Sequence, residues 1–187
     1  QHYLGFFVGA DFKMSSSRAL SLEFFPPRDE NARGKLTAAA KELEVLNPAY
    51  VSVTFGAGGS TREGTADAVG LLQKLGYEAA PHLSCIGASR VVLGDILQYY
   101  KEQGVRRLVA LRGDLPSGMG MNKGELHYAV DLVRFIREQT GDWFHIEVAA
   151  YPEVHPQAKG AQADLNHFVE KVRAGASSAI TQYFFNA

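Results

Sequence analysis

The sequence predicts an α/β fold built on a parallel β-sheet. Short runs of β-branched, aromatic and apolar residues alternate with longer segments of helical periodicity, at roughly 25–35 residues per unit. The 187 residues suffice for one domain with a sizeable core, and 46% of them are apolar while 21% are charged. This composition excludes a disordered, collagen-like or disulfide-stapled chain.

Six strands are predicted from these short runs. They span residues 20–25, 50–55, 79–84, 107–111, 145–150 and 178–185. Pro26 and Pro27 end the first strand, because proline cannot continue a ladder of backbone hydrogen bonds. The glycine-rich segment GAGGS follows the second strand and is typical of a strand–helix turn.

Five helices are predicted between the strands from the spacing of their apolar residues. They span residues 32–46, 61–75, 89–103, 124–139 and 163–174. Thr61 is typical of a helix N-cap, and Gly76, Gly104 and Gly175 are typical stop signals after helices. Two architectures fit this alternation, a doubly wound open sheet and a (β/α)8 barrel, and the pattern does not decide between them.

Charge and cysteine content exclude several functional classes. Nineteen Lys and Arg residues against twenty Asp and Glu residues give a formal net charge of −1, so neither nucleic acid nor an anionic membrane is an expected partner. No apolar run approaches the ~20 residues of a membrane span. The single cysteine, Cys85, cannot form an internal disulfide, which fits a reducing compartment such as the cytoplasm. Residues 1–19 are predicted to be a poorly ordered extension before a domain at 20–187.

Polar side chains recur where the predicted strands end, which indicates an enzyme. In either parallel architecture the working residues gather at the carboxyl ends of the strands. These positions hold Glu23, Thr54, His82, Arg112–Gly113–Asp114, Tyr151 to His155, and Gln182. Glu23 lies between apolar neighbours, so it is either an outward-facing or salt-bridged residue or a general acid held in an apolar setting.

The other motifs favour no specific chemistry. Arg112 and Asp114 either form a loop-capping ion pair or face a ligand. GAGGST lacks the Lys–Ser/Thr ending of a phosphate-binding loop, and a plain strand–helix turn is the simpler interpretation. No His, Cys, Asp or Glu pair has the spacing of a known metal motif, so no metal site is predicted.

Seven segments together resemble the methylenetetrahydrofolate reductase family, over residues 20–186. They are SLEFFPPR, YVSVTFGAGGSTRE, PHLSCIG, LVALRGDLP, AAYPEVHPQA, ADLNHFVEKVRAGA and AITQYFFN, in the family's order. The resemblance implies a (β/α)8 barrel, of which about six of the eight units are present here. It also implies reduction of 5,10-methylenetetrahydrofolate to 5-methyltetrahydrofolate through bound FAD, with NADH or NADPH as electron donor in a ping-pong cycle. A cytoplasmic homo-oligomer is expected for the parent protein.

The resemblance also implies roles for individual residues. Glu23 and Asp114 would be catalytic, and Glu23, Asp114 and Gln182 would contact the folate substrate. The implied FAD positions are Thr54, His82, Leu111, Arg112, Gly113, Asp114, Tyr128, Ala129, Tyr151, His155, Asp164 and Lys171. Two alternatives stay open for a chain cut short in this way, a flavin-binding fragment without turnover and a remnant of the barrel that binds nothing.

Overall fold

The computed structural model describes residues 19–55, 62–113 and 124–185. Its strands are β1 (Ser21–Phe24), β2 (Tyr50–Val53), β3 (Ala79–Ser84), β4 (Arg107–Leu111), β5 (His145–Ala150) and β6 (Ser178–Thr181). Its helices are α1 (Glu30–Leu43), α2 (Arg62–Lys74), α3 (Arg90–Glu102), α4 (Ala129–Thr140) and α5 (Ala161–Arg173). The predicted strand–helix alternation is therefore confirmed. No helix within these ranges is long and apolar enough to cross a membrane.

The strand order settles the architecture that the sequence pattern left open. All neighbouring strands are parallel and lie in the order β1-β2-β3-β4-β5-β6. A doubly wound sheet reverses its direction of growth part way along the chain, whereas here each new strand joins the same edge. Right-handed crossovers then place every helix on one face of the sheet. The chain forms six consecutive units of a (β/α)8 barrel, as the family resemblance implies.

The two faces of the sheet differ in chemistry. Strand residues alternate between the faces, and residues paired in parallel register share a face. The face beneath the helices is apolar and forms the buried core, through Val51, Val53, Leu83, Leu108, Ala110, Ile146 and Val148. The concave face carries polar side chains linked by register, with Glu23 opposite Ser52 on β1 and β2, and Glu147 opposite Ser178 on β5 and β6. The barrel interior is therefore polar, which is where a site can form.

Most predicted boundaries lie within three residues of the observed ones, and two are wrong by four residues or more. The fourth helix begins at Ala129 and not at residue 124, because the Asp131 carboxylate accepts hydrogen bonds from the backbone amides of His127 and Tyr128 and thereby caps the helix there. The sixth strand ends at Thr181 and not at residue 185. Its partner β5 ends at Ala150, and after one further bond from the Gln182 amide to the Ala150 carbonyl the described residues offer no strand to pair with.

A charged cluster lies near the amino ends of the strands and is called here the amino-end cluster (Tyr50, Glu78, Arg107 and Glu147). Glu147 is 3% exposed, yet its carboxylate is satisfied by Arg107 Nη1 at 2.6 Å and by the Tyr50 hydroxyl at 2.8 Å. Arg107 also donates from Nε to Glu78 at 3.0 Å, and its guanidinium lies 4.3 Å from the centre of the Tyr50 ring. The cluster joins β2, β4 and β5 across the barrel interior.

Candidate active site

Glu23 lies on the concave face of β1, with its Oε2 atom 3.4 Å from His82 Nε2 on β3. Its side chain is 54% exposed. Leu22 and Phe24, the apolar neighbours in sequence, pack against the core on the opposite side of the strand. The apolar setting expected for Glu23 from the sequence is therefore wrong, because strand alternation separates the carboxyl from its neighbours. Glu23 occupies a polar, half-open position from which it can reach a ligand.

His82 is buried and uncharged at neutral pH. Burial penalises the protonated ring and lowers the pKa of His82 from 6.5 to about 4. The contact with Glu23 is therefore between a carboxyl group and a neutral imidazole. It is not the salt bridge considered from the sequence.

Two buried polar atoms at this end of the sheet have no hydrogen-bond partner within the described residues. They are His82 Nε2 and Thr54 Oγ1. The 3.4 Å contact to Glu23 has the distance of an ion pair without the angles of a hydrogen bond, so it does not satisfy His82. An unsatisfied buried polar group costs about 1–3 kcal/mol. Both atoms are therefore positioned to bond to a group outside the described part of the chain.

The low pKa of His82 predicts a specific acid sensitivity. As the pH falls from 6.5 to 4, the unfolded chain binds a proton at His82 that the folded chain excludes. The free energy of unfolding should therefore fall across that window by about 3 kcal/mol from this group. Urea unfolding at pH 7 and at pH 4 measures this loss of unfolding free energy in the unmodified chain. The same comparison for His82→Gln is the control, because glutamine has no proton to gain in this pH range. An imidazole NMR titration of His82 with a midpoint near 6.5 would contradict the prediction.

Gly113 is held against β3 at the end of β4. Arg112 places its carbonyl where it accepts hydrogen bonds from Ser84 Oγ at 2.8 Å and from the Ile86 amide at 3.0 Å. Gly113 then turns with a φ of +86°, and a Cβ atom there would lie 2.0 Å from Ser84 Oγ. Only glycine fits, because the conformation is left-handed and the space is already filled. The Arg112 guanidinium reaches Gln157 at 2.9 Å, which links β4 to the loop after β5.

Replacing Gly113 with alanine should destabilise the fold more than the same change at Gly104. Both glycines have positive φ, but nothing lies within 4 Å of a Cβ at Gly104. Gly104→Ala therefore measures backbone strain alone, and Gly113→Ala adds overpacking that costs about 1–3 kcal/mol more. Chemical denaturation of both variants checks this. Equal losses of stability would show that Ser84 moves aside freely.

The end of β5 and the start of α5 form a third part of the site. The Tyr151 and His155 rings meet edge to face with their centres 4.4 Å apart. The His155 backbone amide donates to Asp164 Oδ2 at 3.0 Å, and the Lys171 ammonium donates to the Ala149 carbonyl. Burial lowers the pKa of Lys171, while the nearby charge of Asp164 opposes that change. The four predicted FAD residues in this region are thus brought together by the fold.

The remaining predicted site residues are more dispersed. Leu111 is the last residue of β4 and Ala129 is the first residue of α4. Tyr128 is the N-cap residue of α4, and its side chain is exposed. Gln182 follows β6, with its side-chain oxygen accepting from the Tyr183 amide at 3.2 Å. Asp114 and the glycine-rich segment at 56–60 lie outside the described residues, so the predicted role of Asp114 stays a prediction.

Sequence reasoning missed Ser84 and Gln157, which hold Arg112 in place. Ser84 could have been predicted as a site residue. It is the last residue of a predicted strand and lies two positions after His82, so both side chains are on the same face of the strand. No sequence pattern identifies Gln157, because its contact with Arg112 depends on how the loop after β5 folds back over β4.

The fold and the polar side chains define a β/α-barrel protein with a candidate active site at the carboxyl ends of its strands. The family model described as methylenetetrahydrofolate reductase matches residues 10–187, and the chain belongs to this family. The 5,10-methylenetetrahydrofolate reductase of Pectobacterium carotovorum is 50% identical over 168 residues, which are 89% of this chain and 55% of that protein. The enzyme of the same name from Escherichia coli K12 is 49% identical over the same shares. The chain spans about half the length of these relatives.

Solved structures share the fold at low sequence identity. An uncharacterized protein from Clostridium thermocellum that binds two copies of 5-methyl-5,6,7,8-tetrahydrofolic acid matches with a TM-score of 0.58 at 14% identity, over 91% of this chain and 55% of that one. An aldolase named QR15 matches with a TM-score of 0.58 at 10% identity, over 90% and 70%. These likenesses show the barrel architecture alone.

Proposed function

We propose that this chain is the FAD-binding part of an enzyme that reduces 5,10-methylenetetrahydrofolate to 5-methyltetrahydrofolate with NADH or NADPH. Membership of the family supports the reaction. The observation that carries the proposal is the pair of unpartnered buried atoms, Thr54 Oγ1 and His82 Nε2. Both stand at positions where the family resemblance expects FAD, and both can hydrogen-bond to a polar ring edge or a ribityl hydroxyl. A cytoplasmic, homo-oligomeric enzyme stays a prediction.

The residues present fit FAD in shape and charge. Gly113 packs directly against Ser84 and so fixes the course of the backbone at the end of β4, next to the implied FAD positions Leu111 and Arg112. Arg112 and Lys171 supply positive charge toward which a pyrophosphate group would be drawn. The Tyr151 and His155 rings offer an apolar surface on which an aromatic group can pack. When bound, FAD would accept a hydride from the nicotinamide and pass it to the folate.

Glu23 is proposed as the general acid. The reduction adds one hydride and one proton to the folate, and the proton is required at N10 for the five-membered ring to open. The half-exposed carboxyl of Glu23 is accessible to a substrate in the barrel mouth. Neutral His82 beside it withdraws no proton from the carboxyl, because its own pKa is low. Gln182 and Asp114 are proposed to contact the substrate, and the nicotinamide and the folate would use the site in turn.

An absorbance spectrum of the purified chain, taken before and after anaerobic addition of NADH, tests the proposal. A flavin band that bleaches on NADH supports it. A colourless protein that also fails to bind added FAD would contradict FAD binding by this chain. A flavin band that NADH leaves unchanged would favour the alternative function of a flavin-binding fragment without turnover.

A further inference from the structure

The strand β1 cannot supply a hydrogen-bond donor to the carbonyl of Thr54. β1 and β2 pair in parallel with Phe24 opposite Val53, and the Thr54 amide continues this ladder by donating to the Phe24 carbonyl at 3.0 Å. In a parallel ladder the Thr54 carbonyl would next accept from the amide of residue 26. That residue is Pro26, which has no N–H to donate. The carboxyl end of β2 therefore needs a donor from another element.

Thr65 of α2 supplies that donor. Its Oγ1 atom donates to the Thr54 carbonyl at 3.1 Å, and the residue is 1% exposed. Thr65 lies in the first turn of α2, so this buried hydroxyl joins the end of β2 to the start of the helix that follows it. Both backbone polar groups of Thr54 are then hydrogen-bonded, one to β1 and one to α2. The backbone of Thr54 is therefore held from two sides.

The hydroxyl of Thr54 depends on that backbone for its direction. Thr54 Oγ1 is buried and has no hydrogen-bond partner within the described residues. Threonine has two heavy atoms on Cβ, so few χ1 rotamers are open to it, and the backbone dihedral angles select among them. Thr65 bonds to the carbonyl of Thr54 and not to its hydroxyl, so it acts on the hydroxyl through the backbone.

We propose that Thr65 is a positioning residue, which holds the Thr54 hydroxyl in the direction needed to bond to a polar group of FAD. This assignment rests on the proposed function, because FAD is the partner proposed for Thr54 Oγ1. It requires the hydroxyl of Thr65 and not merely its shape. Serine at this position should therefore suffice, whereas valine, which has the shape of threonine without the hydroxyl, should not.

Calorimetric titration with FAD tests the proposal on the unmodified chain, Thr65→Val, Thr65→Ser, Thr54→Val and the double valine variant. Each single valine variant should weaken FAD binding by about fivefold, the effect of one hydrogen bond. The double variant should bind FAD as Thr54→Val does, because Thr65 acts through the Thr54 hydroxyl. Thr65→Ser should bind FAD like the unmodified chain. Losses that multiply to about 25-fold in the double variant would show a separate structural role for Thr65 and overturn the proposal.

A second measurement needs no cofactor. Three-bond NMR couplings to the Thr54 methyl carbon report its χ1 rotamer. The rotamer should be single in the unmodified chain and in Thr65→Ser, and averaged in Thr65→Val. Thr65→Ala, which also lacks the hydroxyl, replaces the valine variant if that variant does not fold. An unchanged Thr54 rotamer without the Thr65 hydroxyl would overturn the proposal whether or not FAD binds.

Thr37→Val is the matched control. It removes a hydroxyl that donates to the Arg33 carbonyl within α1 at 2.9 Å, away from the candidate active site. Both the FAD affinity and the Thr54 rotamer should be unchanged in this variant, and a change equal to that in Thr65→Val would overturn the proposal. A Thr54 rotamer that responds to Thr65→Val in a chain that binds no FAD would contradict the proposed function and support the action of Thr65 on the hydroxyl.

Discussion

Glu23→Gln is expected to lower methylenetetrahydrofolate reduction by about 10²- to 10⁴-fold while NADH still reduces the bound flavin at an unchanged rate. Glutamine keeps the size and the hydrogen-bonding reach of the side chain but has no proton to give. Only the half-reaction that consumes a proton at the folate should therefore respond. Stopped-flow measurement of the two half-reactions separately distinguishes this from a general loss of structure.

The control for this prediction is Glu42→Gln, which removes an exposed carboxylate on α1 away from the carboxyl ends of the strands. Both half-reactions should be unchanged in that variant. If Glu23→Gln also leaves both half-reactions intact, Glu23 is not the general acid. If it slows flavin reduction as much as folate reduction, its role lies in cofactor binding.

Arg107→Met is expected to lower the free energy of unfolding by about 3–5 kcal/mol. Glu147 is 3% exposed and depends on Arg107 Nη1, 2.6 Å away, for its charge compensation. Removing the guanidinium leaves the Tyr50 hydroxyl as the nearest donor to a buried carboxylate. Methionine fills much of the volume of the arginine stem, so the loss reports the unpaired charge more than a cavity. Urea denaturation at neutral pH measures it.

The matched control is the neighbouring arginine. Arg106 is exposed and stacks on Trp143 with its guanidinium carbon 3.4 Å from the ring centre. Arg106→Met should cost no more than about 1 kcal/mol, as expected for an exposed cation–π contact. Combining Arg107→Met with Glu147→Leu should recover most of the stability, because no buried charge then remains. Equal losses in the two single arginine variants would show that the amino-end cluster contributes little.

The strands with the strongest burial were the easiest to predict. The third, fourth and fifth strands occur with their predicted bounds. Strands that are covered on both faces of a parallel sheet have continuous apolar runs, as in Arg107–Leu111, and such runs are easy to delimit in a sequence. The start of α4 was missed because the N-cap residue is Tyr128 and not Ser, Thr, Asp or Asn. The capping carboxylate belongs to Asp131, which lies three and four residues after the two backbone amides it binds. Residues 182–185 have strand-like composition, but the described part of the chain places no strand beside them. Composition alone carries no information about a pairing partner.

The candidate site was predictable as a set of positions but not as a set of contacts. The rule that parallel strands place their working residues at the carboxyl ends selected Glu23, Thr54 and His82. The distance from Glu23 to His82 depends on sheet curvature across β2, and no local pattern encodes that curvature. Glu147 was overlooked because its partners, Arg107 and Tyr50, are 40 and 97 residues away in sequence.

The sequential strand order has a consequence for how the chain is made. Every strand pairs with the strand that left the ribosome just before it, so each unit finds its partner already in place. Within the described residues, each strand pairing joins two strands that are neighbours along the chain. The loop that must close to form each pairing is therefore short, and its entropy cost is low. The sheet can therefore grow by adding one strand at a time to the same edge as the chain is synthesised.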